Sequence, residues 1–315
     1  MIQSAPTAAF LASRLLICSV LWASGFLFIK LSGALHPLVI AAMRGLVGAV
    51  SLMAFFLVQG RSIKPQGREW RDWLFLGTFN GWAPNVLVAY ALTEIGTAPA
   101  AMIQAAGPLI VAILAHLLFV EERLTLRRMA GVLVGFVGMA ILVGPAALAD
   151  SGVSATGAFA MVATAVSYAS ANLYVRTIKQ ADPARLALGQ QICSAVPATL
   201  LALALIGPAA FAPVPASFAP LLGLGVLATA MPILLFMRLI RDAGPTRASM
   251  VGYLMPVWAA ALAVVFLNES LGVRELVGGA VVLAGVALVS LTGRLRSQVA
   301  RAPAAAAPED RPTAG

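Results

Sequence analysis

Long apolar segments alternate with short polar ones along almost the whole chain. Ten such segments can be drawn, and each is close to the roughly 20 residues that a helix needs to cross the hydrocarbon core of a bilayer. All ten are predicted to be helices, because backbone polar groups in hydrocarbon must be satisfied within their own segment. The predicted spans are 14–32, 37–58, 72–92, 97–118, 126–144, 154–176, 185–206, 219–240, 246–267 and 274–292.

The second half of the chain repeats the residue pattern of the first. The offset is 146 residues early in each half, 148 for the prolines and 147 afterwards; the pairs include Trp22/Tyr168, Pro37/Pro183, Pro84/Pro232, Pro108/Pro256, Glu122/Glu269, Gly131/Gly278 and Gly138/Gly285. Five spans in each repeat force the second copy to insert upside down, as in many secondary transporters. The predicted fold is therefore an all-α polytopic membrane protein with ten transmembrane helices in two inverted five-helix repeats, 14–144 and 154–292.

The composition excludes a soluble domain. The chain is 61% hydrophobic and 10% charged, with a mean hydropathy of +0.94, whereas soluble domains carry about 25% charged residues. The net charge of +9 comes from Lys and Arg in alternate loops, a topology signal rather than a nucleic-acid-binding patch. Positive loops stay cytoplasmic, so both termini are predicted to be cytoplasmic: residues 1–13 and the Ala/Pro-rich segment 293–315, which is also expected to be disordered.

Four prolines lie deep inside predicted helices, in two repeat-related pairs. They are Pro84, Pro108, Pro232 and Pro256. Each removes one backbone hydrogen bond and kinks its helix, and the freed carbonyl groups must find partners or line a cavity. Single prolines are common in membrane helices. The paired arrangement favours a cavity near mid-membrane, with the kinks as points about which helices move.

Arg44 is the only charged residue well inside a predicted span. A charge at this depth is costly and is a functional candidate by default. We expect Arg44 to bind a carboxylate or other anionic group of a substrate; the alternative is that it reaches the interface or caps carbonyls of a broken helix. Its repeat partner is the neutral Gln190, so the charge is not expected to be a symmetric packing device.

Uncharged polar and aromatic side chains provide candidate walls for such a cavity. Polar groups in a bilayer face other helices or water, and aromatic rings with polar tips suit a small amphipathic ligand. Each of them could instead serve helix packing. The candidate wall residues are Trp22, Asn85, Gln104, Tyr168, Asn172, Tyr253 and Trp258.

Several chemistries are disfavoured by residues that the sequence lacks. No Asp or Glu lies in the middle of a predicted span, which disfavours proton-driven export of lipophilic cations. His36 and His116 are not at metal-ligand spacing, and Cys18 and Cys193 are single residues in apolar runs, so no metal, cofactor or redox role is expected. The absence of a phosphate-binding Gly-rich loop followed by Lys-Ser/Thr excludes a nucleotide-driven pump.

Small residues recur in the fifth and tenth predicted helices. Spacing of this kind permits close contact between helices, so both helices are assigned to packing, within the chain or between chains, rather than to the site. The residues are Gly131, Gly135 and Gly138 in the first repeat and Gly278, Gly279 and Gly285 in the second.

Three segments resemble EamA-type members of the drug/metabolite transporter superfamily. They are LWASGFLFIKLSGALHPLVIAAMRGLVGA (21–49), PLIVAILAHLLFVEERLTLRRMAGVLVGFVGM (108–139) and PVWAAALAVVFLNESLGVRELVGGAVVLAGVAL (256–288). The resemblance implies a ten-helix basket with a central cavity, found mostly in bacterial inner-membrane exporters of amino acids and other metabolites. It places Arg44 on the characteristic second-helix arginine, and Glu122 and Glu269 at the ends of the fourth and ninth helices. The first-helix glutamate of small multidrug-resistance relatives is missing.

The sequence therefore predicts a secondary transporter, not an enzyme, in the bacterial inner membrane. It is expected to export amino acids or similar small amphipathic metabolites by alternating access, with aromatic amino acids as a candidate substrate class. Its partners are the substrate and the lipid bilayer, with no nucleic acid; a monomer suffices, and a dimer stays an alternative. The second hypothesis is a carrier of phosphorylated metabolites or nucleotide sugars, and the third is a membrane-embedded transferase or receptor.

Overall fold

Helices form all the regular structure in the residues that this computed structural model describes: 8–33, 35–94, 103–104, 106–120, 125–143, 154–178, 181–267 and 272–299. In the first half the helices are α1 (Ala8–Leu31), α2 (Pro37–Val58), α3 (Glu69–Gly77), α4 (Ala83–Glu94), α5 (Gly107–Leu118) and α6 (Leu126–Val143). In the second half they are α7 (Ala155–Thr177), α8 (Pro183–Ile206), α9 (Phe218–Gly225), α10 (Met231–Ala243), α11 (Val251–Leu267) and α12 (Val273–Val299). Glu122, Glu269 and residues 300–315 lie outside the described residues.

Six of these helical stretches are long and apolar enough to cross a membrane: Ala9–Leu31, Pro37–Val58, Ala155–Thr177, Pro183–Ile206, Pro208–Ala243 and Pro245–Phe266. Gly107–Leu118 and Leu276–Val289 are shorter apolar helices. The chain is thus an all-helical integral membrane protein, while the number of ten crossings stays a prediction. Helix α12 continues to Val299, into the segment for which the sequence favoured disorder.

Helices α2 and α8 begin in the same way, at equivalent points of the two repeats. The side chain of His36 accepts a hydrogen bond from the backbone N–H of Leu38 at 3.2 Å. Asp182, 146 residues later, accepts one from the N–H of Ala184 at 2.9 Å. Each cap is followed by a proline, whose missing N–H costs nothing in the first turn of a helix. The repeat is therefore visible in local structure as well as in sequence.

A π-helical turn interrupts one helix of each repeat, and one residue separates each turn from a proline. The first, π1, is Thr78–Trp82 between α3 and α4, and the second, π2, is Val226–Ala230 between α9 and α10. In π2 the N–H of Met231 reaches back five residues to the carbonyl of Val226. The two turns are 148 residues apart, the same offset that separates Pro84 from Pro232. Such wide turns occur where the regular hydrogen-bond ladder is interrupted, frequently at functional sites.

Equivalent helices of the two repeats pack against each other in antiparallel pairs. In the α6–α12 pair, a Cβ on Gly138 would lie 3.0 Å from the carbonyl oxygen of Gly278, and one on Gly285 would lie 2.7 Å from that of Gly131. The repeat exchanges these two contacts, since Gly131 corresponds to Gly278 and Gly138 to Gly285. An antiparallel contact of this symmetry fits a second repeat inverted relative to the first. Within the described residues, α6 and α12 do pack closely.

Gly285→Ala is expected to lower the melting temperature of the purified protein by several degrees. Its Cβ would lie 2.4 Å from the backbone nitrogen of Gly135, and overpacking of this kind costs about 1–3 kcal/mol. Gly279→Ala on the same helix is the matched control, because its Cβ would meet nothing nearer than Val257 at 3.8 Å. Thermal unfolding in detergent measures both. Equal melting temperatures for the two variants would contradict the close α6–α12 contact.

Candidate functional site

Arg44 lies on α2 and donates two hydrogen bonds to the π-helical turn of the other repeat. Its Nε donates to the hydroxyl oxygen of Thr229 at 2.8 Å, and its Nη2 donates to the carbonyl oxygen of Ala228 at 3.4 Å. The Thr229 hydroxyl in turn donates to the carbonyl of Leu224 at 2.7 Å. We call this group, Arg44 with Thr229 and the Ala228 carbonyl, the Arg44 pole.

Gln190 lies on α8 and makes the corresponding contact with the first π-helical turn. Its Nε2 donates to the carbonyl oxygen of Asn80 at 3.3 Å, and its Oε1 accepts from Nδ2 of Asn80 at 2.9 Å. Only 2% of Gln190 is exposed. We call this pair the Gln190 pole.

The two carbonyl groups that receive these bonds are the ones that the prolines release. A proline at position i has no N–H for the carbonyl at i−4; that carbonyl belongs to Asn80 for Pro84 and to Ala228 for Pro232. Side-chain donors supply the missing bonds, as the absence of water in hydrocarbon requires. Both repeats make this contact, and only the first makes it with a charged side chain.

Glycines on α2 allow close contact with α8 and with π2 beside the poles. A Cβ on Gly48 would lie 3.1 Å from Oε1 of Gln191 and 3.2 Å from Cγ2 of Thr229, and one on Gly45 would lie 3.1 Å from the backbone of Ala195. Helices α2 and α8 therefore cross closely at this point. The crossing sets the positions of both poles.

Tyr168 and Asn85 belong to the surroundings of the Arg44 pole. The Tyr168 hydroxyl donates to Oδ1 of Asn85 at 3.5 Å, the outer limit of a hydrogen bond. Tyr168 is also near enough to Arg44 for the two groups to interact electrostatically. Asn85 follows Pro84 directly, so the kink positions its side chain. These three predicted site residues are brought together by α2, α4 and α7.

The other predicted wall residues have diverse surroundings. The ring of Trp22 packs edge-on against Phe236 with centroids 4.8 Å apart, and Asn172 is buried on α7. Within the described part of the chain, Gln104 Oε1 and Trp258 Nε1 are buried polar atoms with no hydrogen-bond partner. An unpartnered buried polar atom is unusual and suits a cavity wall.

Tyr253 is fully buried, and its surroundings are those of a packing residue. Its hydroxyl donates to the carbonyl of Val132 at 3.2 Å. A Cβ on Gly135 would lie 2.8 Å from its ring, so the glycine makes room for it. A substrate contact for Tyr253 stays a prediction that these contacts do not favour.

Asn80 and Thr229 were not among the candidate wall residues of the sequence analysis, and Gln190 was noted only as the repeat partner of Arg44. Each was one polar residue among many at that depth. Asn80 could have been found by counting back four residues from Pro84, and the same count from Pro232 ends next to Thr229. Counting back four residues from a proline identifies the carbonyl that lacks a backbone donor. A polar side chain is expected beside that carbonyl.

Ion pairs join the two repeats at one end of the helices. We call this interface the ionic face; it is formed by Arg61, Glu69, Asp182 and Arg185. Arg185 is only 8% exposed. Its Nη2 lies 2.6 Å from Oε2 of Glu69, and it also donates to the carbonyls of Ser62 and Lys64 at 2.9 and 2.7 Å. Arg61 pairs with Asp182, the N-cap of α8. The loop between α2 and α3 is thereby tied to the start of α8.

The equivalent interface at the opposite end is apolar. We call it the apolar face; its members are Leu35, Val39 and Ile40 of the first repeat with Leu221 and Leu224 of the second. The repeat pairs Val39 with Arg185, so an aliphatic contact here replaces the arginine cluster there. One polar contact joins the apolar face, from the Ser217 hydroxyl to the carbonyl of Ser32 at 3.0 Å. The two interfaces thus have opposite chemistry.

Both carboxylates of the ionic face have lowered pKa values. Burial on its own raises the pKa of Glu69, but hydrogen bonds from the Arg185 side chain and the Gln66 backbone N–H outweigh it and lower the pKa. Burial likewise raises the pKa of Asp182, and the Ala184 N–H and the Arg61 side chain more than reverse this. Depressed carboxylate pKa values stabilise the fold above the unfolded-state pKa and lose that contribution as the pH falls through the folded-state value.

We therefore expect the melting temperature to fall on acidification below about pH 4, the range where ordinary Asp and Glu protonate. The E69Q/D182N variant should show a flatter pH profile, because both carboxylates are gone while Asn still caps α8. Scanning fluorimetry in detergent between neutral and acidic pH measures this. Parallel profiles for the two proteins would show that these ion pairs do not carry the pH dependence.

A surface depression of about 410 Å³ lies away from the poles, between α4 and the start of α7. It is lined mainly by apolar side chains, among them Leu87, Tyr90 and Phe159. Phe159 is highly exposed, as expected for a side chain that faces lipid. None of the residues that line this depression is charged, so we place the candidate site at the poles.

The antiparallel repeats, the paired π-helical turns and the half-buried arginine bonded to the second of these turns are typical of a helical membrane protein of the secondary-transporter type. The chain belongs to the EamA-like transporter family, whose model matches residues 9–144 and 155–291. This confirms the resemblance seen in the sequence, and members of the family are transporters rather than enzymes.

Two similar proteins extend the comparison. A WAT1-related chloroplastic protein of Arabidopsis thaliana is 25% identical over 267 residues, which cover 81% of this chain and 63% of that protein. This chain therefore spans less than two thirds of the length of that curated relative. A solved crystal structure has a TM-score of 0.76 and 22% identity, covering 90% of this chain and 99% of the other. The fold is shared with that structure.

Proposed function

We propose that this transporter exports amino acids or similar small amphipathic metabolites across the bacterial inner membrane by alternating access. The observation that carries the proposal is the Arg44 pole: a cation on a membrane helix, hydrogen-bonded to a carbonyl that a proline has released. Such a cation is retained at depth only where it has partners, and membrane arginines mark substrate pathways. A substrate carboxylate is the anionic group that suits it best.

The contacts of Arg44 are of a kind that a carboxylate can replace. Two of its five N–H donors are used by neutral oxygen acceptors, Thr229 Oγ1 and the Ala228 carbonyl. A carboxylate forms shorter, charge-assisted and often bidentate bonds with a guanidinium. Substrate binding would therefore draw Arg44 from the π-helical turn of the second repeat, while Tyr168 and Asn85 bind the rest of the molecule.

Release of π2 gives the substrate a way to influence the conformation of the transporter. Helices α9 and α10 meet at π2, and α9 carries Leu221 and Leu224 of the apolar face. A change at π2 is thus linked along one helix to the closing contact at that end. In alternating access the apolar face and the ionic face would open in turn, with kinks at Pro84, Pro108, Pro232 and Pro256 as the points of movement.

The orientation follows from the charges. Basic loops remain cytoplasmic, so we assign the ionic face to the cytoplasm and the apolar face to the outside. Both termini then lie in the cytoplasm. Aromatic amino acids are the substrate class that the rings of Trp22 and Tyr168 suit best. Trp22 packs on Phe236 beside the core, and Tyr168 is a neighbour of Arg44.

Counterflow in liposomes tests the proposal. The purified protein is reconstituted, loaded with one unlabelled amino acid at a time, and assayed for uptake of the labelled form with and without a pH gradient. Counterflow of aromatic or other apolar amino acids would support the proposal, and its response to the gradient would establish proton coupling. Absence of counterflow for the whole panel, from protein with a cooperative melting transition, would contradict it.

A further inference from the structure

We propose that Gln190 restricts the site to substrates with a single anionic group, because it occupies the place of a second cation and is neutral. The inference deepens the proposed function and rests on it. Gln190 then determines the charge of the substrate class, whereas Arg44 binds its carboxylate.

Gln190 and Arg44 occupy structurally equivalent positions in the two repeats. Gln190 lies 146 residues after Arg44, the offset that also relates the N-caps His36 and Asp182. Each side chain extends from the α2–α8 crossing to a π-helical turn of the opposite repeat. Each donates to the carbonyl four residues before a proline, Asn80 for Gln190 and Ala228 for Arg44. The two poles share the crossing and the released carbonyl, and they differ in charge and in the second polar partner, Thr229 for Arg44 and the Asn80 side chain for Gln190.

That difference decides how much negative charge the site can take. The amide of Gln190 is engaged at both ends by Asn80, through Nε2 and Oε1. It contributes hydrogen bonds but no charge. A substrate with one carboxylate is neutralised by Arg44, whereas a second anionic group would enter the membrane interior without a counter-charge. An unpaired buried charge is strongly unfavourable.

A single substitution would supply the missing cation. An arginine at 190 could donate to the Asn80 carbonyl as Arg44 does to that of Ala228, leaving further N–H groups for an anion. The variant Q190R would then carry two cations, one at each pole. The double variant R44Q/Q190R would move the single cation to the equivalent pole and leave the charge of the site unchanged.

The experiment compares probes that differ in charge but little in shape. Inhibition of counterflow is measured with L-glutamine against L-glutamate, L-asparagine against L-aspartate, and L-tyrosine against O-phospho-L-tyrosine. In each pair of which a member binds, wild type should be inhibited about tenfold or more better by the member with less negative charge. One charge-assisted hydrogen bond accounts for a factor of about 10 to 100 in affinity. Q190R should reduce that preference by a similar factor. R44Q/Q190R should keep it.

The outcomes separate this inference from the function on which it rests. Equal inhibition by both members of each pair in wild type would overturn the role of Gln190 and requires no variant to fold. An unchanged preference in well-folded Q190R would overturn it as well, with transport itself intact. Absence of counterflow for every amino acid in wild type would instead overturn the proposed function, and this inference with it.

Discussion

The R44Q variant is expected to lose about 100-fold in amino-acid counterflow while it keeps a melting temperature close to that of wild type. Loss of one or two charge-assisted hydrogen bonds to a carboxylate accounts for a factor of about this size. The fold should tolerate the change because Gln190 shows that a glutamine at the equivalent position satisfies the released carbonyl. Initial rates in liposomes and thermal unfolding in detergent measure the two quantities.

Two further variants make the result specific. R44A removes every donor to the Ala228 carbonyl and Thr229, so it should lower the melting temperature as well as transport, because an unsatisfied buried group costs about 1–3 kcal/mol. R68Q, which removes an exposed arginine just before α3, should leave both properties unchanged. R44Q with normal counterflow would remove Arg44 from the mechanism.

Pro232→Ala is expected to make the protein more stable and less active. Alanine restores an N–H that can bond to the Ala228 carbonyl within the helix, so π2 should tighten, with a stability gain of about 1–3 kcal/mol. Arg44 then loses one of its partners and the helix loses its kink. We expect counterflow to fall by about tenfold, a loss equal to some 1.4 kcal/mol of transition-state stabilisation.

Pro84→Ala is the matched variant in the first repeat. It should be stabilised to a similar degree, since Asn80 stands in the same relation to Pro84. Its effect on counterflow should be smaller, because the Gln190 pole carries no charge for the substrate. P232A with a raised melting temperature and undiminished counterflow would show that the kink is not needed for transport.

The sequence was sufficient for the parts of the fold that depend on local pattern. Apolar periodicity and length predicted the helices, and the residue pairs between the two halves predicted the repeat. The glycine spacing on the fifth and tenth helices led to the close contact that α6 and α12 make, since small residues have few other uses at such regular positions. Pro84 and Pro232 indicated where two of the helices are interrupted, whereas Pro108 lies in the first turn of α5.

The side chains that donate to the released carbonyls could not be predicted from the sequence. They depend on the register of α2 against α8, which is set by the close approach of Gly45 to Ala195 and of Gly48 to Gln191. No periodicity in either helix specifies that register. Tyr253 shows the same limit: an aromatic residue at depth could line a cavity, and only the fold places its ring in the gap left by Gly135.

The central claim is that Arg44 binds the substrate carboxylate, and one measurement tests it most directly. Inhibition of counterflow by L-phenylalanine and by phenethylamine, which lacks only the carboxylate, is compared in wild type and in R44Q. The account predicts a preference for phenylalanine of about 100-fold in wild type that nearly disappears in R44Q, because ligand and protein changes remove the same interaction. The same preference in both proteins would contradict it.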